Sequence, residues 1–223
     1  MRVAREGLPF IAGSAALTLF SAFLTVRMSG DRCMADVFPL SAGVTLLLFG
    51  LTLFVIAFFR DPDRQPAGDG VIAPADGRVV YVGPGQYPGG PAEMTMVSIF
   101  MSVFNVHVNR VPLDGEVKKV EHTAGAFVNA ARAEAPVVNE RTLTVLDTAH
   151  GEMAFCQVAG LIARRIICRL KPGDRAARGA RMGLIRFGSR VDVYVPKAWP
   201  VRVRVGEHTR AGQTVVAEAG SGA

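Results

Sequence analysis

Three residues of the kinds that cooperate in nucleophilic chemistry lie far apart in this chain: Asp76 in "PADG", His107 in "NVHVNR" and Ser189 in "FGSR". A carboxylate, an imidazole and a hydroxyl can act as orienter, base and nucleophile if a fold brings them together. Each also has an ordinary structural reading. Asp-Gly is a favoured turn pair, and a strand histidine is commonly a half-buried, hydrogen-bonded one. Gly188-Ser189, between two strand-like runs, suits a type II′ hairpin turn. His107 stands out because Asn105 and Asn109 flank it at alternate positions, which on one strand would share a face. The remaining histidines, His122, His150 and His208, show no HxxxH or HExxH spacing, and no Cys-His cluster occurs, so no metal site is expected.

The Gly-Ser pair allows a second chemistry. An activated Ser189 hydroxyl can attack the carbonyl of Gly188, converting the peptide to an ester, and a glycine tolerates the backbone geometry this needs. Elimination across Cα and Cβ of the serine frees a Gly188 carboxylate and leaves dehydroalanine, which hydrolyses to a pyruvoyl group and ammonia. A pyruvoyl carbonyl forms a Schiff base with an amine and accepts the electrons released when an α-carboxylate leaves as CO₂, as pyridoxal phosphate does elsewhere. A membrane-anchored amino-acid decarboxylase is chemically coherent with these residues.

The elements that must position such a site divide the 223 residues in two. Leu8 to Val26 and Val37 to Phe59 carry no charge, and each reaches the roughly 20 residues of a spanning helix. Residues 1–60 therefore read as a membrane anchor, a helical hairpin. A secretory signal is the alternative for the first run, but no small-x-small cleavage site precedes Arg27. Arg2 and Arg5 before the first span, and Arg60 and Arg64 after the second, favour cytoplasmic termini. Residues 61–70, polar with two prolines, form a linker. Residues 71–223 are mainly strand-like, at Val79–Val82, Met94–Val111, Arg141–Leu146, Met153–Val158, Ile162–Leu170, Leu184–Val195 and Val201–Val205. Only about Ala124–Ala133 looks helical. Gly173-Asp174 before Gly179 and Gly206-Glu207 before Gly212 form a faint repeat. With "APADGRV", these phrases resemble the flattened β-sandwich of biotinyl and lipoyl carrier domains. No carrier lysine stands at a matching turn, so that likeness concerns architecture.

The formal charge of +6 could suggest nucleic acid, but no basic-and-aromatic stacking pattern accompanies it, and an anionic lipid surface is the simpler partner. Cys33, Cys156 and Cys168 contain no CxxC pair and read as reduced thiols.

The phrases "FFRDPDR" (58–64), "APADGRV" (73–79), "FMSVFNVHVNRVP" (100–112), "NER" (139–141), "GLIARRI" (160–166) and "KPGDRAARGARMGLIRFGSRVDVYVP" (171–196) resemble the phosphatidylserine decarboxylase proenzymes, in their short bacterial and archaeal form. The resemblance implies self-cleavage between Gly188 and Ser189 into a β chain, 1–188, and an α chain, 189–223, that begins with a pyruvoyl cofactor derived from Ser189. It implies roles for Asp76, His107 and Ser189 and decarboxylation of phosphatidylserine to phosphatidylethanolamine; the two charge-free runs and their flanking arginines lead us to expect a place in the inner cell membrane with the catalytic domain in the cytoplasm. Longer family members carry two histidines three residues apart, where this chain has His107 and Arg110; His107 is thus open to a role in maturation, in decarboxylation or in both. Longer members also have Leu-Gly-Ser-Thr at the cleavage site. Arg110 and Arg190 are candidates for binding the substrate's phosphate or carboxylate. A serine hydrolase using the same three residues, and a non-enzymatic lipoyl-like membrane adaptor, are the competing readings. Monomer and homo-oligomer are both open.

Overall fold

The computed structural model describes residues 2–29, 34, 36–128, 130, 135–160, 165–186 and 188–220. The chain forms two compact units, Met1–Pro62 and Asp63–Ala223. In the first, strand β1 (Arg2–Val3) pairs antiparallel with β2 (Arg60–Asp61), and helices α1 (Leu8–Ser29) and α2 (Phe38–Phe58) lie between them in sequence. Both helices are long and apolar enough to cross a membrane. Their few hydroxyls bond to each other or to their own helix: Thr18 lies 3.0 Å from Thr52 and Ser21 2.8 Å from Thr45. Inward pairing of hydroxyls is what an apolar surrounding demands.

The second unit contains β3 (Val71–Ile72), β4 (Gly77–Gly85), β5 (Met94–Met101), β6 (Val108–Arg110), β7 (Gly115–Thr123), the short α3 (Ala135–Val138), β8 (Arg141–Thr148) and β9 (Gly151–Val158). It continues with β10 (Ile166–Cys168), β11 (Arg175–Ala176), β12 (Arg181–Ile185), β13 (Ser189–Pro196), β14 (His208–Thr209) and β15 (Val215–Ala217). Among the described residues an eight-stranded antiparallel sheet runs β11-β7-β8-β9-β13-β5-β4-β14, a three-stranded sheet runs β10-β12-β6, and β15 pairs with β3. The expectation of a mainly β chain with two N-terminal apolar helices holds. Strand β13 is central and buried on both faces. Val191, Val193 and Val195 pack with Val97, Ile99, Met101 and Phe155, while Tyr194 on the other face packs with Tyr87, Leu143, Ala154 and Cys156. The alternating polar residues of β13 therefore do not mark a solvent face: Arg190 and Asp192 are buried.

Several expected elements differ. The run Met94–Val111 is two strands in different sheets, because Asn105 turns the chain: its Oδ1 accepts from the Ser102 amide at 2.9 Å and the Ser102 hydroxyl at 2.8 Å. Asn105, His107 and Asn109 thus do not lie along one strand, which begins only at Val108. The run Leu184–Val195 also divides. Strand β12 belongs to the small sheet and β13 to the large one, so Gly188-Ser189 is a crossing between sheets and not a hairpin turn. Of Val201–Val205 only Val201 makes a ladder bridge, to Ala217, and Val205 is exposed. Ala126 bridges to Asn139 where a helix was expected; residues 129 and 131–134 lie outside the described residues, as do 161–164, Cys33 and Phe187.

The faint repeat is structural. The Gly173 amide donates to Val117 O and the Val117 amide to Asp174 O; correspondingly, Gly206 donates to Val79 O and Val79 to Glu207 O, all at 2.8–2.9 Å. Gly179 donates to Val111 O as Gly212 does to Ala73 O. The segment Val111–Val117, "VPLDGEV", therefore repeats Ala73–Val79, "APADGRV", with Asp114 in the place of Asp76.

Candidate active site

The ends of several strands meet at one end of the large sheet. Ser189, the first residue of β13, stands directly opposite Met101, the last of β5. Arg78 of β4 pairs with Phe100 of β5, which pairs with Arg190, so Gly77 and the adjacent Asp76 lie at the same end as Ser189. Two strand spacings separate their backbones by about 10 Å. His107 follows the turn that leaves Met101 and precedes β6, whose Val108 pairs with Leu184 of β12. On the other side of β13, Val158 pairs with Arg190 and leads into Ala159 and Gly160.

Ser189 is fully buried, and its hydroxyl donates to Met101 Sδ at 3.4 Å. That sulfur also receives the Asn109 amide at 3.7 Å, and Asn109 Oδ1 accepts from Gln157 Nε2 at 2.8 Å. His107 is fully buried. Its Nδ1 lies 3.0 Å from Asn105 O, and a carbonyl only accepts, so Nδ1 carries the hydrogen. In the neutral ring this leaves the basic lone pair on Nε2. Asp76 is gripped by Arg64: Nη1 binds Oδ1 and Nη2 binds Oδ2 at 2.9 Å, and the Ala211 amide donates to Oδ1 at 2.7 Å.

Arg190 points to the face opposite the valines. Its Nε donates to Asp192 Oδ1 at 2.5 Å and its Nη2 to Ser98 Oγ at 2.7 Å. Burial lifts the Asp192 carboxyl above its ordinary range, while the Arg190 guanidinium and the Ser98 hydroxyl pull against that rise. Burial, reinforced by the nearby Asp192 charge, also raises the Cys156 thiol and the Tyr194 phenol. Arg110 is equally enclosed, with Nη1 donating to Gly179 O at 2.8 Å. Each arginine read from the sequence as a phosphate ligand has an acceptor inside the protein.

The backbone at Gly188 has φ +66°, the left-handed region that suits glycine. A Cβ built on Gly160 would stand 2.0 Å from Gly188 O. Asn139 fastens the segment bearing Gly160, donating from Nδ2 to Ala159 O at 2.7 Å and to Val128 O at 2.8 Å, with Oδ1 accepting from the Val128 amide. Gly160 and Asn139 fall within quoted motifs without an assigned role; Gln157 has no motif, and a close backbone approach has no signature in sequence.

A buried serine that opens a central strand, preceded by a left-handed glycine and placed at the strand ends that carry an acid and a histidine, defines a candidate site for acyl transfer at the Gly188 carbonyl. Residues 51–217 match the family model of phosphatidylserine decarboxylase. The chain is 49% identical over 223 residues to the phosphatidylserine decarboxylase proenzyme of Pelobacter propionicus, covering 98% of this chain and 97% of the relative. It is 46% identical over 217 residues to that of Geobacter metallireducens, covering 96% and 95%, and 46% identical over 219 residues to that of Nitrosomonas europaea, covering 97% and 94%. The chain belongs to the phosphatidylserine decarboxylase family.

Proposed function

We propose that this protein converts phosphatidylserine to phosphatidylethanolamine and CO₂, and that it makes its own pyruvoyl group by cleavage between Gly188 and Ser189. The observation that carries this reading is the Gly188-Ser189 junction itself, a left-handed glycine and a buried serine at a crossing between two sheets. His107 Nε2 is the base that takes the Ser189 proton. The serine oxygen bonds to the Gly188 carbonyl carbon, the carbon–nitrogen bond breaks, and the proton passes to the departing amine. Removal of the Cα hydrogen of residue 189 then expels the Gly188 carboxylate, and water replaces the nitrogen of the resulting dehydroalanine, releasing ammonia. The pyruvoyl carbonyl supplies an electron sink for decarboxylation. The residues present fit the group, because Ser189 is enclosed and its neighbour leaves a free carboxylate on a backbone that only glycine adopts readily.

Asp76 fixes the loop before β4, with Arg64 holding its carboxylate. Arg110 and Arg190 serve the framework, given their internal acceptors. The repeated "xPxDGxV" turns and their matching glycine bonds support a lipoyl-like sandwich as the architecture of residues 71–223. The two apolar helices support an anchor that keeps the enzyme beside its lipid substrate, in the inner cell membrane with both termini cytoplasmic.

Mass spectrometry of the purified protein tests maturation. The 23.8 kDa chain is expected to be replaced by a fragment ending at Gly188 and one beginning at residue 189 with a blocked N-terminus. An intact chain in an active preparation overturns the proposal, and labelling of intact Ser189 by a fluorophosphonate would assign a serine hydrolase instead.

A further inference from the structure

We infer that Gly160, held in place by Asn139, is the seat of the Gly188 carbonyl oxygen and so a positioning residue for self-cleavage; the inference rests on the maturation proposed above. In the uncut chain the Gly188 carbonyl must present its carbon to the Ser189 hydroxyl, and its oxygen must have room as charge builds there. The oxygen lies against the Cα of Gly160. A Cβ at residue 160 would come within 2.0 Å of this oxygen and 2.9 Å of the carbonyl carbon, far inside contact distance. No rotamer relieves the overlap, because Cβ is fixed by the backbone and the two nearest atoms it meets are backbone, with Ala130 Cβ next at 3.3 Å. Retreat of residue 160 is limited from behind. The Asn139 amide holds Ala159 O and Val128 O together, and Ala159 N donates to Glu140 O at 2.9 Å. The carbonyl must therefore be the group that moves, by about 1 Å, and a misplacement of that size at a reacting centre costs on the order of a hundredfold in rate.

Once the bond is cut, Gly188 is a chain end, its carbonyl has become a free carboxylate, and it can swing clear of residue 160. A side chain at Gly160 thus bears on maturation and not on the turnover of matured enzyme, whereas a merely structural role would lower both.

The test follows the full-length chain after synthesis, scoring cleavage by mass and pyruvoyl content by borohydride reduction in the presence of an amine. Gly160→Ala is expected to slow cleavage about a hundredfold, with turnover per pyruvoyl group within threefold of wild type. Gly115→Ala, in β7, three strands from β13, is the control, since a Cβ there would also strike backbone, Asp147 O at 2.5 Å; its cleavage rate is expected to be unchanged. If Gly160→Ala does not fold, Asn139→Asp loosens the same seat and is expected to slow cleavage at least fivefold. Cleavage of Gly160→Ala at the wild-type rate overturns the inference, as does an equal loss of turnover per pyruvoyl group. So does wild-type cleavage in Asn139→Asp. An uncut wild type instead fails the maturation reading itself.

Discussion

Arg64 holds both carboxylate oxygens of Asp76 while also donating to Ala211 O at 3.0 Å, closing a cycle with the Ala211 amide that binds Asp76. The repeat supplies an internal control. Asp114, in the equivalent turn, accepts from the Arg178 amide at 2.8 Å just as Asp76 accepts from Ala211. Capping a backbone amide is therefore a structural duty common to both aspartates, and the forked contact with Arg64 is particular to Asp76. Asp76→Asn is expected to slow self-cleavage at least tenfold and Asp114→Asn less than twofold, read from a time course of the two fragments. Equal effects would assign Asp76 to the turn alone.

His107 is oriented by its own loop, through the Nδ1 hydrogen given to Asn105 O. A base held this way contributes on the order of 10² to 10⁴ in rate. His107→Ala is expected to reduce decarboxylation at least a hundredfold, and the fragments show where the loss lies. An uncut chain is the expected result, since His107 takes the Ser189 proton in the proposed maturation; a cut but inactive one would overturn that role and move His107 to decarboxylation. Normal cleavage together with normal turnover would remove it from the site.

The buried pair Arg190–Asp192 makes a stability prediction with a sign. Burial raises the Asp192 carboxyl, so between its unfolded and folded values the folded state binds more protons than the unfolded one. The contribution of this group to stability falls as pH rises through that window and is greatest below the unfolded value. Asp192→Asn should abolish this slope and, at neutral pH, cost about 3 kcal/mol by leaving the Arg190 charge uncompensated. Replacing both, as Arg190→Met with Asp192→Leu, is expected to restore most of that loss. Urea denaturation across pH 4 to 8 measures both effects, and an additive double variant would show that the pair is not coupled.

Much of the scaffold could be read from the chain because it follows from one-dimensional patterns. Charge-free runs located both helices to within a few residues, and glycine and proline punctuation located β4, β8 and β9, whereas the nine-residue β7 (Gly115–Thr123) fell outside the expected runs. What escaped is what depends on particular side-chain contacts, near or remote in sequence, that no periodic pattern encodes. Asn105 divides one apolar run by capping its own turn, and the crossing at Gly188 depends on two neighbouring segments choosing different sheets. The polar residues of β13 alternate as a solvent-facing strand would, yet they are enclosed because Arg190 finds Asp192 and Ser98. Ser189, Asp76 and His107 were legible through motifs. Arg64, Asn139 and Gly160 matter through contacts with residues 12, 20 and 28 positions away, and no local pattern announces such contacts.

The apolar helices expose their side chains, with Leu19 71% and Leu47 74% accessible, a surface that water does not tolerate and a bilayer does. The full chain is expected to stay with membranes through alkaline carbonate washing. A chain beginning at Asp63 lacks the first compact unit and is expected in the soluble fraction with its β-type circular dichroism intact. Retention of this truncated chain in the washed membrane would show that the helices are not the anchor. A second truncation, beginning at Gln65, differs from the first only by Asp63 and Arg64. It removes the clamp on Asp76 together with the Asp63 contact to Arg181. Self-cleavage is expected to proceed in the chain beginning at Asp63 and to slow at least tenfold in the one beginning at Gln65, with Asp63→Asn in the longer form as the control. Equal rates in both truncations would show that the linker arginine has no part in maturation.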